Sequence, residues 1–136
     1  MISQRYNLSP LIAKILNIRN IPDDQIDQFL NPKISDYLPD PFKLKDMDKS
    51  VMRIIETISN KQLIGIIADY DVDGSTSAAI LCKFFKSINQ NYILKIPSRL
   101  NDGYGPNEKL LDELLDNKID LLITLDCGTT SFDILD

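Results

Sequence analysis

The sequence predicts an α/β fold: a helical N-terminal leader over residues 1–60, followed by a parallel three-stranded βαβαβ sheet over residues 61–136. Three observations predict it. Leu63 to Ala68 is a short apolar run rich in β-branched side chains, which reads as a strand buried on both faces. Two more such runs, Tyr92–Ile96 and Leu121–Leu125, recur downstream, the first of them ended by Pro97. The segments between the runs carry helical stripes: Ile80, Leu81, Phe84, Phe85 and Ile88, then Leu110, Leu111, Leu114 and Leu115. Strand, helix, strand, helix, strand is the order that right-handed parallel crossovers require.

The leader is punctuated by proline. Pro10 is placed to open a helix through Leu11, Ile12, Ile15 and Leu16, and Pro22 followed by Asp23 and Asp24 to open the next. Pro32, Pro39 and Pro41 make residues 31–42 an expected extended connector. Asp46 is the expected N-cap of a helix with Met47, Val51, Ile54, Ile55 and Ile58 on one face. Downstream, a helix is expected from Thr76 to Ile88, and Pro106 is expected to open the last one.

Composition narrows the chemistry. A chain of 136 residues is enough to bury about two-thirds of its unfolded surface. The apolar runs are far too short to span a membrane, and the N-terminus has no continuous apolar segment of the secretory kind. Two cysteines, Cys82 and Cys127, fit a reducing cytoplasm better than a disulfide scaffold. The histidine count is zero. Within these residues that excludes Ser-His-Asp and Cys-His nucleophiles and His-ligated zinc.

Charge is uneven. Residues 100–136 carry two Lys against nine acids, a net of −7, while the rest of the chain is slightly positive and the total is −5. This is not the basic footprint of a free-standing nucleic-acid binder. Most of these acids read as solvated helix faces.

Parallel α/β sheets place their sites beyond the carboxyl ends of the strands. The loop after the first run reads Asp69-Tyr70-Asp71-Val72-Asp73-Gly74-Ser75. In extended chain, residues i and i+2 point the same way, so Asp69 and Asp71 face one point. Carboxylates that close repel unless a cation or proton sits between them, and a hard divalent ion, Mg²⁺ or Mn²⁺, answers that need. Asp126, directly after the third run, supplies a third carboxylate. Asp73 or Ser75 is instead read as a helix cap. The spacing D-x-D-x-D-G also begins a calcium-binding EF-hand loop, but a strand precedes it here, and Ile80 stands where that loop needs a bidentate glutamate.

Taken whole, Ile67 to Leu81 resembles the first motif of the DHH phosphoesterase superfamily, and specifically of its bacterial single-stranded-DNA-specific exonucleases. Pro97 to Gly105 and Thr124 to Ser131 resemble two further blocks in order and spacing, and the leader joins them through Phe29-Leu30-Asn31-Pro32 and Asp40-Pro41-Phe42. The resemblance covers about residues 8–136. It implies that Asp69, Asp71 and Asp126 are metal-binding and catalytic, and that Arg99, Gly103, Tyr104 and Gly105 form a substrate-binding block. Arg99 suits a phosphate clamp or a surface pair with Asp102. Tyr104 suits base stacking or simple packing, and Cys127 reads as a small buried residue beside the site. Three departures stand out: Ile67 occupies a place where many relatives carry histidine, Ala68 replaces a usual glycine, and no Asp-His-His motif occurs.

The resemblance therefore implies an N-terminal helical leader (1–60) and the N-terminal part of a DHH domain (61–136), truncated before that motif. It implies metal-dependent hydrolysis of single-stranded DNA from 5′ to 3′ in repair and recombination, in the cytoplasm, with Mn²⁺ or Mg²⁺. No membrane is expected as a partner, whereas a separately encoded C-terminal part is, and the 136 residues alone are expected to be inactive. Two other readings stand beside this one. A DHH phosphoesterase acting on nucleotides or short oligonucleotides would lack the block from Arg99 to Gly105, and a non-catalytic scaffold would have no need of all three aspartates.

Overall fold

The computed structural model describes residues 2–135, in two compact units, Met1–Lys45 and Asp46–Asp136. In the first unit, α1 (Ile2–Arg5) precedes α2 (Pro10–Ile18), which begins where proline predicts. Pro10 fills the first turn, and the Ser9 hydroxyl accepts the Ile12 N–H at 3.3 Å. A 3₁₀ turn, Asp23–Gln25, leads into α3 (Ile26–Leu30). Leu16 and Ile26 are buried, and Arg5 pairs with Asp23 at 2.7 Å.

The expected extended connector over 31–42 is not extended throughout. It contains α4 (Ile34–Tyr37) and leads into a second 3₁₀ turn (Pro41–Lys43), whose Phe42 N–H donates to the Asp40 carboxylate at 3.0 Å. Proline's fixed φ suits the first turn of a helix as well as an extended strand, and here the first use wins at Pro41.

The second unit opens with α5 (Met47–Ser59). Asp46 occupies the N-cap position but does not cap. Its backbone is left-handed at φ 58°, and its carboxylate turns to Lys49 at 2.6 Å. The sheet consists of β1 (Ile64–Ala68), β2 (Tyr92–Lys95) and β3 (Leu121–Leu125), in the order β2-β1-β3, all parallel. Ile64 lies beside Tyr92 on one side and Leu121 on the other.

The strand period of two sends side chains alternately to two cores. Ile64 and Ile66 pack with Phe85 and Leu81 of α6 (Val72–Ser87) and with Ile54 and Ile58 of α5. Ile67 faces the other way, onto Leu110 and Leu114 of α7 (Glu108–Asp116). With helices on both faces, β1 is buried along its whole length. This explains why β1 reads as a continuous apolar run rather than an alternating one.

Two helix starts differ from expectation. The N-cap of α7 is Asn107, whose side chain accepts the Leu110 N–H at 3.0 Å, so Pro106 precedes the helix rather than opening it. The helix α6 starts at Val72, four residues before Thr76, for a reason that belongs to the site. A final short helix, α8 (Phe132–Leu135), follows β3.

Candidate metal centre

Asp69 leaves the end of β1 while still attached to the sheet, its N–H donating to the Leu125 carbonyl at 3.1 Å. Its side chain is 2% exposed, and its Oδ1 has no hydrogen-bond partner. An unpartnered buried carboxylate oxygen is costly, and such an atom calls for a ligand. Asp71 is the last extended residue and the N-cap of α6, its Oδ1 accepting the Gly74 N–H at 3.0 Å. The cap is thus Asp71, not Asp73 or Ser75.

Gly74 permits this early start. A Cβ there would fall on the Asp69 backbone, 2.7 Å from its carbonyl carbon and 2.8 Å from its nitrogen. Only glycine lets the first turn of α6 come this close to the end of β1. The close approach fixes Asp69 and Asp71 together.

Asp126 arrives from the end of β3 with a left-handed backbone at φ 59°. One carboxylate oxygen from each of Asp69, Asp71 and Asp126 lies within 4.8 Å of the other two. The structure therefore brings the three predicted aspartates to one point. The donor set is oxygen only, and one of its atoms is buried and unsatisfied. That fits a hard divalent cation.

The electrostatics agree. Partial desolvation, and next the Asp71 carboxylate, hold the Asp126 carboxyl above its ordinary range. A carboxyl raised in the folded state binds its proton more tightly there than in the unfolded chain. Without metal, stability is therefore expected to fall as pH rises from the ordinary aspartate range through the raised value. Thermal melts between pH 4 and 7 in a chelating buffer check this. Asp71→Asn removes a repelling charge and is expected to flatten the slope, and an unchanged slope would contradict the assignment.

The block from Arg99 to Gly105 borders this point unevenly. The Tyr104 hydroxyl donates to the Asp126 carbonyl at 3.1 Å. Desolvation, and then the Asp69 and Asp126 charges, raise its phenol above the ordinary value. Gly103 and Gly105 take positive φ, 80° and 74°; Gly103 is exposed, whereas Gly105 is buried against the Cys127 Cβ. The surface pair with Asp102, the alternative reading of Arg99, does not form. Asp102 instead accepts the Ser98 N–H at 2.8 Å and pairs with Lys109 at 3.3 Å. The Arg99 guanidinium, exposed, lies 5.8 Å over the Tyr70 ring.

Cys127 is half-buried, and desolvation pushes its thiol up, which leaves it protonated at neutral pH and unsuited to nucleophilic work. Ile67, where the family resemblance implies histidine, is fully buried in the α7-side core. An open cleft of 470 Å³ adjoins Asp126, lined by Tyr104 and by Thr129, Thr130 and Ser131. Those three residues and Tyr70 are neighbours of the site that the sequence did not single out. The signal for the three was present in the block from Thr124 to Ser131; for Tyr70 it was only its place between two aspartates.

A parallel sheet flanked by helices, with three aspartates converging beyond two adjacent strand ends, defines an α/β protein whose strand ends carry a carboxylate cluster able to hold a metal ion. Residues 63–136 match the DHH family, N-terminal domain. The chain belongs to the DHH family. It is 32% identical over 128 residues to the single-stranded-DNA-specific exonuclease RecJ of Bacillus subtilis, covering 93% of this chain and 16% of that protein. It is 26% identical over 126 residues to RecJ of Haemophilus influenzae, covering 91% and 21%. The crystal structure of exonuclease RecJ bound to manganese superposes with a TM-score of 0.61 at 33% identity, over 68% of this chain and 23% of that one. The chain thus spans between a sixth and a fifth of the length of these two curated relatives.

Proposed function

We propose that the chain supplies the metal-binding N-terminal part of a single-stranded-DNA-specific 5′–3′ exonuclease acting in DNA repair and recombination in the cytoplasm. Residues 1–60 serve as its helical leader and residues 61–136 as the N-terminal part of its DHH phosphoesterase domain. The observation that carries this reading is the buried, unpartnered Asp69 Oδ1 facing the Asp71 and Asp126 carboxylates in a DHH chain similar to RecJ. Among the described residues no helix is long and apolar enough to cross a membrane.

Asp69, Asp71 and Asp126 would hold Mn²⁺ or Mg²⁺, and the bound ion supplies Lewis-acid charge at a phosphodiester. The chain's own residues do the rest of the positioning. Arg99, on the rim and free of Asp102, is available to a phosphate. Gly103, exposed, lets backbone come close to a strand, the buried Gly105 shapes the turn behind it, and Tyr104 presents an exposed ring for a base. The block from Arg99 to Gly105 supports single-stranded DNA over a mononucleotide as substrate.

No residue of the chain is an imidazole, so proton transfer of that kind must come from elsewhere. The test is a nuclease assay on single-stranded DNA labelled at either end. The 136-residue chain alone is expected to release no nucleotide in Mn²⁺ or Mg²⁺. Co-expressed with the remainder of Bacillus subtilis RecJ, it is expected to give Asp71-dependent release from the 5′ end. Robust Asp71-dependent degradation by the chain alone would contradict this division of labour.

A further inference from the structure

One face of β3 is chemically repetitive. Leu121, Ile123 and Leu125 recur at every second position, and all three pack into the core on the α5 and α6 side. A slip of β3 by two residues against β1 would only exchange leucine and isoleucine in that core, the kind of swap that packing tolerates best. The side-chain pattern alone therefore opposes such a slip weakly. Its consequence for the site would be large. Two residues of strand span about 7 Å, whereas the Asp69, Asp71 and Asp126 oxygens lie within 4.8 Å of one another. A slipped Asp126 would leave the cluster.

The register is held at the opposite end of the sheet. The Asp120 N–H donates to the Leu63 carbonyl at 2.8 Å, and the Asp120 Oδ2 accepts the Leu63 N–H at 2.8 Å. One residue thus binds both backbone groups of Leu63, directly before the ladder that runs from Ile64–Leu121 to Ala68–Leu125. The acceptor is a carboxylate, which makes the bond a strong one. After a slip of two residues, Lys118 or Leu122 would stand opposite Leu63, and neither side chain can accept that N–H. Arg53 of α5 adds a second tie. Its Nη2 donates to the Asp120 carbonyl at 2.9 Å, and its Nη1 to the Oγ1 of the fully buried Thr57 at 2.6 Å.

We propose that Asp120 is a positioning residue for the carboxylate cluster. It locks β3 against β1 at Leu63 and so sets Asp126 level with Asp69, about 20 Å away along the strand. The bond from the Asp69 N–H to the Leu125 carbonyl is the far end of the same register. The proposal rests on the reading of the cluster as a metal centre, but the register can be measured without metal.

Nuclear magnetic resonance of the metal-free chain reads the register through backbone contacts between strands, and calorimetry reads Mn²⁺ affinity. The parent should show Ile66 beside Ile123. Asp120→Ala is expected to add a second set of contacts shifted by two residues and to weaken Mn²⁺ binding at least about tenfold. Asp120→Asn keeps a side-chain oxygen for the Leu63 N–H and should restore affinity to within about threefold of the parent. Ile54→Val, a loss of packing in the same core, should leave register and affinity at the parent level. If Asp120→Ala does not fold, Arg53→Met removes only the second tie and should weaken Mn²⁺ binding at least about threefold. A folded Asp120→Ala chain with parent register or parent affinity would overturn the proposal. So would an Asp120→Asn chain as impaired as Asp120→Ala, an equal loss of affinity in Ile54→Val, or parent affinity in Arg53→Met. A parent chain that binds no Mn²⁺ would count against the metal reading alone, and the contacts in Asp120→Ala would then decide the register.

Discussion

Gly74→Ala is expected to destabilise the Asp46–Asp136 unit by about 3 kcal/mol, at the upper end of what overpacking a well-fitted site costs. The added methyl group would fall on the Asp69 backbone rather than on a side chain that can swing away. Either α6 must begin later, near Thr76, or the end of β1 must shift. Both movements separate Asp71 from Asp69, so metal affinity should fall along with stability. Urea denaturation followed by circular dichroism, with and without Mn²⁺, measures both effects. A variant as stable as the parent would contradict the close approach of α6 to β1.

The second large effect reverses sign with metal. Asp69→Asn replaces a buried carboxylate oxygen that has no partner with an amide that donates toward Asp71 and Asp126. Relief of an unsatisfied buried polar group is worth about 1–3 kcal/mol, so the metal-free variant is expected to melt several degrees above the parent. With Mn²⁺ the order inverts. A ligand that binds only the folded state stabilises it by about 2.7 kcal/mol at one hundred times its dissociation constant. The parent should gain such an increment on saturation, and the variant should gain almost none. A metal-free variant that melts below the parent would mean that Asp69 is held by interactions absent from this account.

Most of the sheet was legible because long-range burial writes itself into short apolar runs. β1, β2 and β3 lie where Leu63–Ala68, Tyr92–Ile96 and Leu121–Leu125 place them, to within a residue. Helix starts were less legible where a tertiary contact decides them. The start of α6 at Val72 depends on Gly74 meeting the Asp69 backbone, and no helical stripe records that. The Asp46 side chain was misjudged because a cap position says nothing of φ, and the left-handed backbone there sends the carboxylate to Lys49.

The convergence of Asp69, Asp71 and Asp126 was legible because aspartates directly after buried strands have little other use. The partner of Arg99 was not. Asp102 looked available to it by sequence distance, but the turn from Ser98 to Asp102 folds that carboxylate back onto the Ser98 N–H. Thr129, Thr130 and Ser131 line a cleft only once Tyr104 is brought beside the loop that follows β3.

Titration of Mn²⁺ into the 136-residue chain, followed by isothermal calorimetry, tests the central claim most directly. One weak site is expected, with the affinity lost by at least about tenfold in Asp71→Asn, because one full negative charge leaves a three-carboxylate donor set. Asparagine keeps the side-chain oxygen that accepts the Gly74 N–H, so the α6 cap survives and only the charge is removed. An Asp71→Asn chain that is folded and binds Mn²⁺ as tightly as the parent would show that these aspartates do not form a metal site.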